Sequence, residues 1–411
     1  MTSAPRAAPR SAPPSADFWP RPSWPLRRGW RALRRLAYEL ASTLAPRAEV
    51  GPLDLAALRH VVVLRDDRLG DALLATPFVR ALRRACPNAR ITVLASTTNA
   101  AVFARLAEVD EVCVGGARWR DLPATVRRLR ASGAIDLVID LYSWTELRPA
   151  VLAWCTRARH RVGYDRDRRA FLHTRRIALR TDIRYEAERN LDLLRALGVA
   201  CDEGALPRFP VRAEDVAQAR QAREACALGA ARDYVVLHPG SGARYQTYRR
   251  VAPATLGAVA RRLTDEQRVD VWVTGSLAEA PLAQAVVRAA GVPAVQSLAG
   301  QLDLGGLAAL LAGARLVVVP DTGVLHLAVA VAARVVAILG PVGDVNGPER
   351  VLPRGEGVVA ARVDLGCEPL ACNIQRCRRV ACLTNLDAEV VGLACARALA
   401  AAARAPIAGE T

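Results

Sequence analysis

Short apolar, β-branched runs alternate with helix-period segments along most of this chain, and the alternation occurs twice. In the first set the strand signals are His60–Arg65, Arg90–Ala95, Glu111–Val114 and Ile135–Asp140, with helical patterns over Asp71–Ala85, Trp119–Ala131 and Glu186–Leu197. In the second set the strands are Tyr234–His238, Val271–Thr274, Ala294–Leu298, Leu316–Val319 and Val335–Leu339, with helices near 252–263, 278–290, 303–313 and 323–332. A strand that must return to the same end of a sheet needs a crossover, and a helix supplies it. The pattern therefore predicts an α/β chain with two Rossmann-like, doubly wound domains. A central cleft would lie between the carboxyl ends of the two sheets. The expected divisions are 1–50, a basic tail with an amphipathic helix; 51–205, the first domain; 206–232, a linker; 233–386, the second domain; and 387–411, a last Ala-rich helix and tail.

Three strand-to-helix turns carry the candidate chemistry. Val317–Ala328, VVVPDTGVLHLA, reads as a buried strand, a sharp turn over Pro320–Gly323 and a helix starting near Val324. The free N–H groups at such a helix start suit a phosphate. Thr322 adds a hydroxyl donor, Gly323 permits close approach, and His326 falls in the first turn. The alternative is that Asp321 or Thr322 caps the helix and His326 packs. Arg65–Pro77, RDDRLGDALLATP, makes a second turn, where Asp71 is either an N-cap or a general base facing the cleft. His238–Tyr248, HPGSGARYQTY, makes a third, in which Gly240, Ser241 and Gly242 form a backbone nest beside Arg244. Glu279 follows the next strand, as an acceptor for ribose hydroxyls or as a solvated helix start.

Composition narrows the partners. With 411 residues, 52% hydrophobic and 24% charged, the chain is globular and long enough for two cores. Its net charge is +17, and every one of its basic residues other than His is Arg. Arg grips phosphate bidentately, so an acidic partner is expected. Only 5% of residues are aromatic and no nucleic-acid motif is present, which ranks nucleic acid last. No apolar run reaches the ~18 residues of a membrane span, and the first residues lack a signal-peptide core. The expected location is cytoplasmic, with the ten cysteines reduced. Residues 24–45 place Trp24, Trp30, Leu33 and Leu36 opposite Arg27, Arg28, Arg31, Arg34 and Arg35, which suits an anionic membrane surface or a helix packed on its own domain. Cys367, Cys372, Cys377 and Cys382 could hold zinc or an iron–sulfur cluster, but they recur without a C-x₂-C pair, so packing cysteines are the preferred reading and no metal site is assigned.

The motifs RDDRLGDALLATPFVRALR, RVGYD (Arg161–Asp165), LHPGSG, VTGS with Glu279, SLAGQLDL (Ser297–Leu304) and VVPDTGVLHLA stand in the order seen in glycosyltransferase family 9, which this chain resembles over roughly residues 58–400. That family comprises the bacterial ADP-heptose:lipopolysaccharide heptosyltransferases. The resemblance implies a GT-B architecture, with an acceptor domain first and a donor domain second. It implies metal-independent, inverting transfer of heptose from ADP-heptose to a lipopolysaccharide inner-core sugar, with no cofactor. By resemblance Asp71 is the catalytic base, and Ser241, Gly242, Arg244, Glu279, Leu298, Asp321, Thr322, Gly323 and His326 hold the donor. Leu298–Gly300 would lie beside the nucleotide base. The implied partners are a nucleotide-sugar donor, a phosphorylated lipid-linked saccharide acceptor and the anionic inner-membrane surface, with peripheral association there. One departure stands out: the family's Lys after the His-Pro-Gly turn is absent from Tyr245–Tyr248, and Arg244 and Arg249 are the nearest cations. Two other classes also use two such domains, a non-hydrolysing sugar-nucleotide epimerase and a non-catalytic nucleotide-sugar-binding protein.

Overall fold

The computed structural model describes residues 53–116, 118–142, 146–165, 169–183, 185–226, 232–240, 250–340, 348–352, 357–362, 383 and 385–400. Residues 24–45, where a basic amphipathic helix is expected, the stretch from Ser241 to Arg249 and the four regularly spaced cysteines lie outside them. The first sheet is built from β1 (His60–Leu64), β2 (Arg90–Ala95), β3 (Glu111–Val114), β4 (Leu137–Asp140), β5 (His160–Asp165) and β6 (Arg175–Ala178). Its order is β3-β2-β1-β4-β5-β6, parallel throughout. The second holds β7 (Tyr234–Leu237), β8 (Asp270–Val273), β9 (Val295–Ser297), β10 (Leu316–Pro320), β11 (Val335–Ile338) and β12 (Val358–Ala361). Its order, β12-β11-β10-β7-β8-β9, is the same winding repeated, also all parallel. The two-domain α/β reading holds. In each sheet the winding reverses between the first and fourth strands, at β1/β4 and at β7/β10. That is where a crevice opens beyond the strand ends.

The helices that cross between strands are α1 (Leu69–Leu74), α2 (Thr76–Ala85), α3 (Ala100–Phe103), α4 (Leu122–Ala131), α5 (Arg148–Cys155) and α6 (Glu186–Arg195) in the first half. After them come α7 (Ala213–Glu224), α8 (Pro253–Gln267), α9 (Ala280–Ala290), α10 (Leu304–Ala312), α11 (Gly323–Ala330), α12 (Pro348–Val351) and α13 (Ala388–Ala400). The single helix expected over Asp71–Ala85 is two, broken at Ala75. Pro77 has no N–H for the Leu73 carbonyl and its ring would strike it. The Thr76 hydroxyl donates to that carbonyl instead, at 2.8 Å. The alternation missed β5, β6 and β12. Charged residues interrupt HRVGYD, and RRIA and VVAA are edge strands with partly exposed positions.

The two halves share buried surface. One core cluster runs from Val61, Leu73 and Phe78 of the first half to Leu325, Val329 and Val319 of the second. The connecting segment is fixed to both: Arg208 N–H donates to Thr76 Oγ1 at 2.9 Å, and Phe209 N–H donates to the Ala330 carbonyl at 3.2 Å. Further along, α7 lies on α10, and Arg105 from the first half donates to Asp215 of α7 at 2.8 Å. The last helix, α13, buries Val391, Cys395 and Ala398 in the second sheet's own core. The cysteines described here, Cys86, Cys113, Cys155, Cys201, Cys226 and Cys395, are all free thiols.

The turn after β1 is held from behind by a buried ion pair. Arg148, at the start of α5, donates to Asp66 Oδ2 at 2.8 Å, and Tyr142 Oη–H donates to Asp66 Oδ1 at 2.7 Å. A second guanidinium nitrogen of Arg148 donates to the Gly116 carbonyl. Removing one partner of a buried pair leaves an uncompensated charge. Arg148→Ala should therefore cost ~3–5 kcal/mol of unfolding free energy. A urea denaturation midpoint that does not move would show that Asp66 is adequately held by Tyr142 alone.

Candidate functional site

Both switch points meet at one place. The Leu69-Gly70-Asp71 turn begins α1 beyond β1, and the Asp321-Thr322-Gly323 turn begins α11 beyond β10. They touch through their glycines. A Cβ built on Gly70 would lie 2.5 Å from His326 Cδ2, and one built on Gly323 would lie 3.0 Å from Leu69 Cδ2. His326 is buried, and its ring packs directly on the Gly70 backbone. Gly323 was expected to leave room for a ligand; the room beside its Cα is taken by Leu69 of the other half.

Asp71 does not cap its helix. The N-cap position is Arg68, with no side-chain cap bond, and Asp71 sits inside the first turn, partly exposed. Behind it lies Arg65, fully buried, which donates to Asp67 Oδ2 at 3.0 Å and to Asn190 Oδ1 at 2.8 Å. Asn190 in turn donates to the Leu74 carbonyl at 3.0 Å, tying α6 to α1. Burial pushes the Asp71 carboxyl above the ordinary carboxylate range. The Arg65 charge opposes that shift and the Glu186 charge adds to it. Glu186, at the start of α6, is itself buried between Arg189 and Arg350, each 3.5 Å from its Oε2. Arg350 reaches it from α12, between strands of the second sheet. Asp67 carries the stronger consequence. Its Oδ1 is buried with no hydrogen-bond partner among the described residues, and burial, opposed by Arg65, pushes its carboxyl up to about 8.

Across the crevice, Thr322 occupies the N-cap position of α11 in extended conformation, but its hydroxyl makes no capping bond. That oxygen is buried without a partner among the described residues, in a residue only 7% exposed. A buried hydroxyl at a helix N-terminus, beside N–H groups that lack intrahelical partners, has the chemistry to meet an anion. Asp321 stands partly exposed beside it. Glu279 is not a solvated helix start: it is 7% exposed, and its Oε2 accepts from Ser276 N–H at 3.0 Å and Ser276 Oγ–H at 2.8 Å. Its other oxygen covers the face of Gly240 where a side chain would stand. His238, ahead of Gly240, shares a hydrogen bond of 3.1 Å with Thr274 Oγ1, and burial, opposed by the Glu279 charge, lowers its pKa to about 4, so it is neutral. Leu298 is buried, its N–H bonded to the Val273 carbonyl at 2.9 Å; Gly300 turns the chain at φ +78° against the exposed Leu277. Ser241, Gly242 and Arg244 lie outside the described residues, in the segment between Gly240 and Arg250.

The structure thus gathers Asp71, Thr322, Gly323 and His326 about one interface, with Glu279 and Leu298 along the neighbouring strand ends. The motif reading gave no role to Arg65, Asp67, Glu186 or Arg350. The Arg-Asp-Asp run before Leu69 signalled the first two. Glu186 and Arg350 come from distant segments, with no local signal. Asp67 has a folded pKa above its unfolded value near ~3.9, so the folded state holds the proton more tightly. Stability from this group is then full at low pH and is lost as pH rises from the unfolded value towards about 8. Asp67→Asn should flatten that slope in urea unfolding measured between those limits. An unchanged slope would mean that Arg65 keeps Asp67 ionised throughout.

The chain matches the family model described as glycosyltransferase family 9 (heptosyltransferase) over residues 124–375. No curated protein sequence matches it. Among solved structures it is similar to a glycosyl transferase family 9 protein from Veillonella parvula, at 20% identity and TM-score 0.69, covering 85% of this chain and 99% of that one. It is similar to E. coli ADP-heptose lps heptosyltransferase II at 19% identity and TM-score 0.67, covering 83% and 98%. It is also similar to E. coli heptosyltransferase WaaC with ADP-2-deoxy-2-fluoro heptose, at 19% identity and TM-score 0.61, covering 82% and 99%.

Proposed function

The chain belongs to glycosyltransferase family 9, and from that premise we propose that it is an inverting enzyme that moves heptose from ADP-heptose to a lipopolysaccharide inner-core sugar. The observation that carries this reading is the contact between the two switch-point turns, Gly70 against His326 and Leu69 against Gly323. It brings a carboxylate-bearing helix start and a second helix N-terminus to one interface. In this reading Asp71 accepts the proton of an acceptor hydroxyl. The freed oxygen attacks the anomeric carbon from the face opposite the nucleotide, and the bond from that carbon to the diphosphate oxygen breaks. The raised pKa of Asp71 matches it to proton abstraction better than an ordinary aspartate would be. Arg65 behind it keeps the ionised form accessible.

The departing diphosphate gains negative charge, and fixed N–H groups aimed at it lower the barrier. In this reading those are the N–H groups opening α11, with Thr322 Oγ1; Ser241 and Gly242, outside the described residues, are read as further donors. Arg244 or Arg249 takes the place of the family's Lys, as a fork in place of a point charge. Glu279 is read as the ribose acceptor and Leu298 as a wall of the base site. The donor assignment draws support from the WaaC structures, which are described with ADP and with ADP-2-deoxy-2-fluoro heptose. We read the transfer as independent of metal and cofactor. No helix among the described residues is long and apolar enough to cross a membrane. The reading places the enzyme in the cytoplasm, peripherally on the inner membrane, where a phosphorylated lipid-linked saccharide is presented to it. The amphipathic stretch of residues 24–45 is one attachment.

Asp71→Asn keeps the shape and removes the base. Transfer from ADP-heptose, followed by product mass, should fall ~10²-fold or more with donor affinity nearly unchanged. Near-wild-type turnover would return Asp71 to a structural role, and the rate should be the same with EDTA present. Thr322→Val swaps the unpaired hydroxyl for a methyl and should weaken ADP binding by ~1 kcal/mol, read by calorimetry. Equal affinity would remove Thr322 from the diphosphate site.

A further inference from the structure

Two tryptophans stand out of the first domain into solvent, Trp119 at 56% and Trp154 at 55% exposure. So large an apolar ring normally buries most of its area, and a pair of exposed ones marks a surface that meets something. Both belong to one layer. Trp119 opens the 3₁₀ turn Trp119–Asp121 that runs straight into α4, and Trp154 lies in the last turn of α5. These two helices cover the same face of the first sheet: Val126 and Leu129 of α4 and Leu152 and Ala153 of α5 share a core with Val62, Leu64 and Val138. Their outer surface is basic. Neither LPATVRRLRA nor RPAVLAWC contains an acid, and Arg120, Arg127, Arg130 and Arg157 are exposed on or beside them, against two acids, Asp121 just ahead of α4 and Glu146 just ahead of α5.

We propose that the outer layer formed by α4 and α5 is a docking face for an anionic lipid bilayer, with Trp119 and Trp154 as the anchors that enter the headgroup region. The charge is complementary to such a surface, and the chain as a whole carries +17. Indole suits that depth because its body is apolar while its N–H stays hydrated. A single-stranded nucleic acid fits less well. Its bases need successive rings along one groove, and these rings stand on separate elements, one before α4 and one near the end of α5. The layer is also coupled to the cleft. Arg148, the first residue of α5, is the partner of Asp66 in the turn that leads to Asp71, and it also bonds the Gly116 carbonyl just ahead of Trp119. Docking would hold the first domain at the bilayer. That purpose rests on the lipid-linked acceptor proposed above; the docking itself does not.

The test is co-sedimentation of the full-length chain with phosphatidylethanolamine vesicles containing phosphatidylglycerol, and with phosphatidylcholine vesicles. No nucleotide sugar is present, so failure to detect heptosyl transfer leaves the result standing. Two chemically different pairs are made, Trp119→Ser with Trp154→Ser, and Arg127→Glu with Arg130→Glu, and thermal melts show that each is folded. Each pair should lower partition onto the anionic vesicles by ~tenfold or more, while kcat on a soluble acceptor stays at the wild-type value. Added salt should weaken the wild-type and tryptophan variants alike. Wild-type sedimentation by both pairs would overturn the proposal and assign binding elsewhere in the chain. So would variants that keep vesicle binding but lose binding to an RNA oligonucleotide.

Discussion

The contact on which the arrangement depends is that of α1 against α11. Each helix starts at the switch point of its own sheet, and each offers the other a residue without a Cβ at the closest approach, Gly70 beneath His326 and Gly323 beneath Leu69. A methyl group on Gly70 would push the two helix starts apart, because the nearest atoms belong to a buried ring. The two turns hold their chemistry in common only while they touch. Asp71 and the α11 helix start belong to different sheets, so the proposed site needs both halves of the chain.

A buried charge system sits beneath that contact. Arg65 has no exposure, yet its guanidinium meets Asp67 and Asn190, and its charge is felt by Asp71. Glu186 and Arg350 extend the system to the second half of the chain. Taking so many charges from water is costly, and a pair held this way adds little net stability over an apolar one. What it does supply is control of proton affinity, since burial raises the carboxyls and Arg65 restrains them. The second half of the site sets neutral groups beside the Glu279 carboxylate. His238 is kept uncharged, and Thr322 offers a bare hydroxyl.

Much of this was legible along the chain wherever the controlling forces were local. The central strands β1, β7 and β10 are buried on both faces, so they appear as unbroken apolar runs, and the turn residues that end them mark the switch points. The edge strands β6 and β12 have partly exposed residues and no such run to show. The break before α2 was written in Pro77, but only the structure showed the Thr76 hydroxyl taking the carbonyl that proline leaves. Glu279 illustrates the limit of local reading. Its position after a strand was evident, yet its burial depends on Gly240, far away in sequence, having no side chain.

The sequence by itself determined the two-sheet α/β plan, the order of the motif turns and the family, because strand and helix periodicity and turn chemistry act over a few neighbouring residues. The tertiary structure decided which of those turns meet. It decided that Gly70 and Gly323 serve the packing between halves, that Asp71 stands free of a capping role, and that Glu186 and Arg350 join its surroundings. Those outcomes follow from the docking of one sheet's helices on the other's, and from desolvation produced by segments remote along the chain. No local pattern of residue types encodes either.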